Sequence, residues 1–254
     1  MKIYFDNVDF SSTSGPNGFG QKLFKSLEKM GHLPINCLED KEIKDIQLSF
    51  IYSNIVSGPV IQRLDGIYFN SEQDFNSLNF PIKRTYENAA GVIFQSEFNK
   101  NLTEKWFGKH KNSTVIRNGT PLEEINNIDP ANNEKLKSFN KVWCCASSWR
   151  PHKRLSDNIR YFLEHSETND CLVIAGNNPD YSISHNRIFY AGNLSWKNLV
   201  ALFKRSDYFI HLSWLDHCPN VVVDARASGC HIICSSAGGT KEICGLNSTI
   251  IDED

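Results

Sequence analysis

The chain has 254 residues, of which 40% are hydrophobic and 22% are charged, a composition typical of a globular protein. A formal net charge of −2 gives no electrostatic reason to expect nucleic acid as a partner. No stretch approaches the roughly 20 apolar residues of a transmembrane helix, and the N-terminal segment turns polar too soon for a signal peptide. These features exclude membrane-spanning and nucleic-acid-binding classes and favour a cytoplasmic protein.

The eight cysteines fall mostly inside predicted strands, so we expect buried reduced thiols rather than disulfides. Cys230 and Cys234 have the spacing of metal ligands, but no second pair accompanies them. We therefore predict neither a metal site nor a cofactor.

The N-terminal segment begins with a predicted strand over residues 2–6. A loop with Gly15, Gly18 and Gly20 follows, and an apolar stripe then predicts a helix over 21–30. Strand, glycine loop and helix form a pattern in which a backbone can approach a phosphate. The glycines lack the dinucleotide spacing G-x-G-x-x-G, and a plain turn explains them equally well.

Short apolar runs continue to alternate with helical stretches along the first half, which favours an α/β domain with a parallel sheet. The further strands are predicted over 34–38, 48–53, 59–64, 91–95 and 114–117, and helices over 83–90 and 97–107. Residues 126–138 are rich in Asn, Glu and Lys and predict a linker. It separates a first domain, residues 1–125, from a second, residues 139–254.

The second half repeats the alternation, with strands predicted over 141–147, 171–176 and 188–192 and helices over 152–164 and 195–206. Between its first strand and helix lie Arg150, His152, Lys153 and Arg154. Cations at a helix N-terminus run against the preference for acids. They make sense if an anion is shared between them and the N–H groups. A solvated basic turn is the plain alternative.

The stretch from Tyr208 to Gly229 contains the densest set of candidate site residues. Residues 208–214 predict a buried strand; Pro219 suits the first helical position and Gly229 the residue after the last turn. The helix places Asn220 and Asp224 on one face, about 6 Å apart along the axis. An anion at the helix N-terminus would leave Asp224 within reach of a ribose diol. A helix cap and a solvated acid are the plain alternative.

The next predicted strand, residues 231–236, is followed by Gly238, Gly239 and then Glu242. A glycine pair between a strand and a helix lets the backbone approach a ligand closely. Two successive strand-to-helix junctions then each present N–H groups and a carboxylate. A parallel sheet builds a nucleotide site at the carboxyl ends of its strands in this way.

Asp216, seven intervening residues, Asp224 and the sequel Gly238-Gly239-Thr240-Lys241-Glu242 resemble the donor-binding segment of retaining glycosyltransferases of the GT-B fold, family 4. That family usually has Glu at both acidic positions, whereas both are Asp here. Residues 63–70, 95–98 and 115–120 resemble the same family, and the resemblance is densest over 141–245. The compact chain, without the family's closing helix, is also similar to glycosyltransferases encoded by large DNA viruses.

The resemblance implies two Rossmann-like domains whose parallel sheets face each other across a cleft. It implies metal-independent transfer of a hexose, with retention, from GDP-mannose or a UDP-hexose to a hydroxyl acceptor such as a glycan. A homodimer is compatible with this expectation. A sugar-nucleotide epimerase of the same fold, or a non-catalytic nucleotide-sugar binding module, would share the site and stays an alternative.

The resemblance also implies individual roles. Lys153 and the more weakly matched Arg150 would bind the donor diphosphate, Asp224 the ribose and Asp216 the transferred sugar. Residues 33–109 contain no histidine for the role that a histidine of the first domain often has in the family, so Asp65 is the candidate. The remaining predicted donor contacts are Gly18, Cys218, Pro219, Asn220, Gly239 and Glu242.

Overall fold

The computed structural model describes residues 1–12, 14–37, 44–55, 58–70 and 72–253. The chain divides into two compact units, Met1–Asn118 and Gly119–Asp254. Each contains a six-stranded sheet, and all strand pairs are parallel. The predicted fold class, α/β with two Rossmann-like parallel sheets, is confirmed. Within the described ranges, no helix combines the length and the apolar character needed to cross a bilayer.

The first unit is built on one sheet with the strand order β2-β1-β3-β4-β5-β6. Its strands are β1 Lys2–Asp6, β2 Leu33–Ile35, β3 Ile46–Phe50, β4 Val60–Leu64, β5 Gly91–Phe94 and β6 Ser113–Val115. Its helices are α1 Gly15–Lys29, α2 Phe75–Asn88 and α3 Glu97–Phe107. Most strand residues are buried, as expected for a parallel sheet covered on both faces.

The predicted glycine loop at residues 15–20 is wrong, because these residues form the first turns of α1. Pro16 has a preset φ and lacks the N–H that a first turn leaves unpaired, so it favours this early start. The Gly18 N–H donates to the Ser14 carbonyl at 2.7 Å. At Gly20 a Cβ atom would come within 2.8 Å of Val8 Cγ1. This glycine therefore serves close packing of the helix.

Several other element boundaries differ from the prediction. α2 begins at Phe75 rather than residue 83, because the Asp74 side chain accepts from the Ser77 N–H and Pro81 is accommodated inside the helix. The strands predicted over 48–53 and 114–117 correspond to β3 and β6, which begin and end earlier than predicted. The strand predicted over 34–38 is β2, and its predicted last residue, Leu38, lies outside the described residues.

The second unit is built on a sheet with the strand order β12-β11-β10-β7-β8-β9. Its strands are β7 Val142–Ala146, β8 Cys171–Ala175, β9 Ile188–Gly192, β10 Tyr208–His211, β11 His231–Ser235 and β12 Thr249–Ile251. Its helices are α4 Leu122–Asn126, α5 Glu134–Lys137, α6 Leu155–His165, α7 Trp196–Arg205 and α8 Asn220–Ala227. The short strand β12 was not predicted. Cys37 is exposed and the other seven cysteines are buried, and all eight are free thiols.

The predicted linker, residues 126–138, lies within the second unit. Ile125 and Ile128 are buried against Val200 of α7, and Leu136 belongs to the main core of this unit. The Ala131 N–H also donates to the Ala201 carbonyl at 2.8 Å. The few apolar residues of the predicted linker are spaced too irregularly to indicate a helix or strand. In the folded chain they nevertheless attach the segment to α7.

The strand order of the second sheet reverses between β7 and β10. From β7 the chain continues outward through β8 and β9, and it then returns to the other side of β7 as β10. The connections that follow β7 and β10 therefore leave the carboxyl edge of the sheet on opposite sides of the reversal. Such a reversal opens a crevice in which α/β proteins bind ligands.

Candidate functional site

Lys153, which follows β7, and Asp216, which follows β10, meet at this reversal. Lys153 Nζ lies 2.5 Å from Asp216 Oδ2, and the two side chains are only 17% and 13% exposed. His211, the last residue of β10, is buried with Nε2 at 3.1 Å from the same carboxylate oxygen. The basic turn suggested as the plain alternative is therefore not solvated at Lys153.

The charges of this cluster are set by burial and by the ion pair. Burial alone would raise the pKa of Asp216, but the Lys153 ammonium and His211 outweigh it and hold this pKa below its usual range. Burial lowers the pKa of His211, against the opposing effect of Asp216. It also lowers the pKa of the neighbouring His217 to about 4. At neutral pH Asp216 is thus ionised, and the imidazoles of His211 and His217 are neutral.

Lys153 is positioned by a 3-10 turn, Pro151–Lys153, rather than by the first turn of a helix. Arg154 follows with a left-handed φ of 52°, and α6 begins only at Leu155. The buried Asn158 side chain donates to the Lys153 carbonyl at 3.2 Å and accepts from the Leu212 N–H at 3.2 Å. Asn158 therefore ties the connection after β7 to the connection after β10.

Asp216 is positioned from its other side by the glycine pair. Its backbone forms a parallel β-bridge with Gly238, and the Gly239 N–H donates to its carbonyl at 2.7 Å. Gly238 has a φ of +94°, and a Cβ atom there would lie 2.6 Å from the Asp216 carbonyl oxygen. The glycines therefore allow a close backbone approach, as predicted, but to another loop. The Gly239 N–H predicted to face the diphosphate is already donated to Asp216.

Asp224 lies on α8 and is 4% exposed. Its Oδ1 accepts from the Thr120 hydroxyl at 2.5 Å, and its Oδ2 accepts from the Trp196 indole N–H at 2.9 Å. The solvated helix acid of the plain alternative is therefore wrong. In this structure the carboxylate predicted to bind ribose accepts hydrogen bonds from both of these side chains.

The other predicted donor contacts surround this cluster. Pro219 is the N-cap of α8 rather than its first residue, because its ψ of 118° is extended. Cys218 and Pro219 are buried, and Gly229 has the expected left-handed φ of 98° after the helix. Arg150 is exposed and precedes the 3-10 turn with an extended backbone. Glu242 is half-buried on a second 3-10 turn, Thr240–Glu242.

Asp65 belongs to a separate polar cluster in the first unit. Arg63 and Asp65 lie at the end of β4, and Gln95 and Asn118 follow β5 and β6. Asp65 accepts hydrogen bonds from Arg63 and Gln95, and Arg63 also donates to Asn118 Oδ1 at 2.7 Å. Arg63 and Asp65 therefore form an ion pair at the end of this strand.

The carboxylate of Asp65 is only partly satisfied. Burial raises its pKa and outweighs the opposing effects of Arg63 and Gln95. Its second oxygen, Oδ2, is buried without a hydrogen-bond partner among the described residues. The three segments that resemble the family in the first half thus meet at one edge of the sheet. Gly18 lies in α1, outside these contacts.

Sequence reasoning missed three residues that hold the predicted ones in place: His211, Asn158 and Trp196. His211 ends an apolar strand, where a buried histidine is ordinary. Asn158 gave a weak signal, because it lies on the buried face of α6 with Leu155 and Ile159. Trp196 lies at the start of α7, and only the fold brings it to Asp224.

A metal site was not predicted. In the parts of the chain that the structure describes, no group of three or more His, Cys, Asp or Glu side chains is placed to hold a metal ion.

The second unit matches a known protein family. Residues 135–253 match the family model described as Glycosyl transferases group 1, and this segment contains Lys153, Asp216 and Asp224. A search of curated proteins finds no match to this sequence. The match spans 119 of the 254 residues, all within the second unit.

Solved structures match nearly the whole chain. A structure of HepE from Anabaena in complex with UDP-glucose aligns with a TM-score of 0.72 and 15% identity, covering 99% of this chain and 85% of HepE. Sucrose-phosphate synthase from Thermosynechococcus elongatus aligns with a TM-score of 0.78 and 13% identity, and the alignment covers 99% of this chain and 86% of the synthase. Starch synthase IV from Arabidopsis thaliana, bound to ADP and acarbose, aligns with a TM-score of 0.71 and 11% identity, and the alignment covers 99% of this chain and 88% of that chain. The fold is accordingly that of GT-B glycosyltransferases.

The contact between Lys153 and Asp216 predicts how the two residues contribute to stability. Lys153→Ala should lower the free energy of unfolding by about 2–3 kcal/mol, somewhat less than for breaking a fully buried pair, because it leaves a carboxylate without its cation. Lys153→Ala combined with Asp216→Asn should be more stable than Lys153→Ala alone, because the uncompensated charge is gone. Urea unfolding at pH 7 measures both differences.

Lys135→Ala, on the exposed side of α5, is the matched control and should stay within about 0.5 kcal/mol of the unaltered protein. A Lys153→Ala variant as stable as this control would contradict the ion pair. A double variant would also contradict it if its loss of stability were at least the sum of the losses measured for Lys153→Ala and Asp216→Asn singly.

Proposed function

We propose that the chain is a retaining glycosyltransferase that moves a hexose from a nucleoside-diphosphate sugar to a hydroxyl of an acceptor, without a metal ion. One observation carries the proposal. A lysine and an aspartate meet at the strand-order reversal of a domain that matches the glycosyltransferase group 1 model. A glycan is the proposed acceptor, and GDP-mannose or a UDP-hexose the proposed donor.

The proposed role of Lys153 follows from the charge of the leaving group. Breaking the bond between the sugar and the diphosphate leaves additional negative charge on phosphate oxygens. A positioned ammonium stabilises that charge more strongly in a partly dry site than in water. The exposed Arg150 and the N-terminus of α8, near Cys218 and Asn220, would share the same anion.

Asp216 is proposed to hold the transferred sugar. Its lowered pKa keeps it ionised, so it can only accept hydrogen bonds, as the hydroxyls of a hexose require. Before the donor binds, Lys153 neutralises Asp216. When a diphosphate arrives, Lys153 can turn to it, and Asp216 can accept from sugar hydroxyls instead. The ion pair would thus prepare both residues for their ligands.

Asp65 is proposed for the acceptor side, the role that a histidine often has in the family. Retention requires the acceptor hydroxyl to be held on the face that the diphosphate leaves. Burial raises the pKa of Asp65, which shifts this carboxyl toward the range in which it can take up a proton. Its Oδ2, which has no hydrogen-bond partner within the described ranges, is the atom available for that contact.

The donor class is supported by what the matched structures contain. The HepE structure holds UDP-glucose, and the starch synthase structure holds ADP. The proposed ribose contact is Asp224, one helical turn beyond Asn220 on α8. Gly239 and Glu242 are proposed to line the same donor site through the loop that bridges to Asp216.

The reaction can be tested by following nucleoside diphosphate released from UDP-glucose, ADP-glucose and GDP-mannose, with and without oligosaccharide acceptors. We expect acceptor-dependent release from one donor, and unchanged release in excess chelator, because cationic side chains already face the diphosphate. Loss of release that manganese or magnesium restores would contradict metal independence. An isomerised sugar nucleotide formed without acceptor would instead identify an epimerase, and binding without turnover a binding module.

The two acids should differ in the ligands they affect. Asp224→Ala should weaken the intact donor and the bare nucleoside diphosphate alike, because both contain the ribose. Asp216→Ala should weaken only the intact donor, or its turnover, because the bare diphosphate lacks the sugar. Calorimetry with both ligands on both variants provides the four affinities.

Asp180→Ala, at an exposed position of the second unit, is the control for removal of a carboxylate and should change neither affinity. If both acids only stabilised the fold, each variant would lose stability and would not discriminate between ligands. Equal weakening of donor and bare diphosphate by Asp216→Ala would contradict the sugar contact.

A further inference from the structure

Trp196 and Thr120, which both donate to the carboxylate of Asp224, differ in how firmly they are fixed. Trp196 packs against the buried cluster of Ile125, Ile128 and Val200, and the Ser195 side chain caps the helix that begins at Trp196. Its indole N–H is therefore a fixed donor to Asp224 Oδ2.

Thr120, the donor to Oδ1, is placed differently. It is only half-buried, and it follows Gly119, which is exposed and has open space around the position of a Cβ atom. Thr120 is the second residue of the second unit. The 2.5 Å contact between its hydroxyl and Asp224 joins residues 104 positions apart in sequence. A hydroxyl in such a segment can leave the carboxylate with far less disruption than the packed indole.

We propose that the Thr120 hydroxyl takes, in the nucleotide-free protein, the position on Asp224 Oδ1 that a ribose hydroxyl of a ribonucleoside diphosphate occupies when it binds. The nucleotide displaces Thr120, while Trp196 keeps the carboxylate oriented through Oδ2. Thr120 is thus a competing group and Trp196 a positioning residue. The inference rests on the proposed function, in which Asp224 binds the ribose.

The chemistry of the two hydroxyls is the same. An ionised carboxylate only accepts hydrogen bonds, and both a threonine and a ribose hydroxyl donate one. With Asp224 4% exposed, losing the Thr120 hydroxyl removes one hydrogen bond from Oδ1 in the nucleotide-free protein without giving this oxygen free access to water. A bound ribose hydroxyl replaces that hydrogen bond. Removing the threonine hydroxyl should therefore destabilise the free protein and favour the bound one.

The test is calorimetry of Thr120→Val with UDP, ADP and GDP in turn, beside the same ligands lacking the 2′ and 3′ hydroxyls. We expect Thr120→Val to bind the ribonucleotide about fivefold more tightly, the effect of one internal hydrogen bond that no longer competes with the ribose. The dideoxy nucleotide should show no such gain. The thermal midpoint of the nucleotide-free variant should fall, and saturating ribonucleotide should restore most of the difference.

Two control variants and one variant of the second donor, Trp196, sharpen the comparison. Thr120→Ser keeps the competing hydroxyl and should show no gain in affinity. Thr114→Val makes the same substitution at an exposed position of β6 and should change neither affinity nor thermal midpoint. Trp196→Phe removes the indole donor and should weaken the ribonucleotide more than the dideoxy nucleotide, which a merely structural loss would not do.

The outcomes separate this inference from the proposed function. Unchanged or weaker ribonucleotide binding by Thr120→Val, in a protein that does bind the ribonucleotide, would overturn the competition while leaving the proposed function intact. An equal gain for the dideoxy nucleotide would overturn it as well. If none of the three diphosphates binds the unaltered protein, the proposed function fails and the inference fails with it.

Discussion

The ion pair between Lys153 and Asp216 is the interaction on which the candidate site depends. Two charged side chains that are mostly removed from water are stable only when they neutralise each other. Their meeting requires the strand order of the second sheet to reverse, so that the segments after β7 and β10 leave the same edge side by side. The Asn158 amide and the backbone approach at Gly238 then fix the two segments against each other.

Both acids of the candidate site have internal hydrogen-bond partners in this structure. Asp216 is neutralised by Lys153 and also contacts His211, and Asp224 accepts from Thr120 and Trp196. Neither carboxylate is left unsatisfied, because a buried acceptor without a partner is costly. Under the proposed function, a nucleotide sugar exchanges partners at both acids. Its phosphates attract Lys153, and its hydroxyls replace the internal donors.

The sequence predicted most of what depends on local pattern. The central strands of both sheets and the helices α3 and α8 follow from short apolar runs, from helical periodicity and from the cap residues around them. The helix boundaries that were predicted wrongly lie at residues that occur both in loops and in helices. Gly15 to Gly20 could form a loop or a tightly packed helix, and Pro81 suggests a break in a helix that continues through it.

The candidate site was predictable only in part, for a physical reason. Lys153, Asp216 and Asp224 were predicted from residue types near strand ends that suit phosphate and hydroxyl recognition, and the fold brings Lys153 and Asp216 into contact. Their partners could not, because those contacts join positions far apart in sequence, such as Leu212 with Asn158 and Thr120 with Asp224. The buried network of Asp65, Gln95 and Asn118 arises in the same way, from three different strands of the first sheet.

The most direct measurement is a crystal structure of the protein with a nucleoside diphosphate that it binds. The account predicts a phosphate oxygen within hydrogen-bond distance of Lys153 Nζ, beside the N-terminus of α8, with a ribose hydroxyl at Asp224. A diphosphate bound away from the segments after β7 and β10, with the contact between Lys153 and Asp216 unchanged, would contradict it.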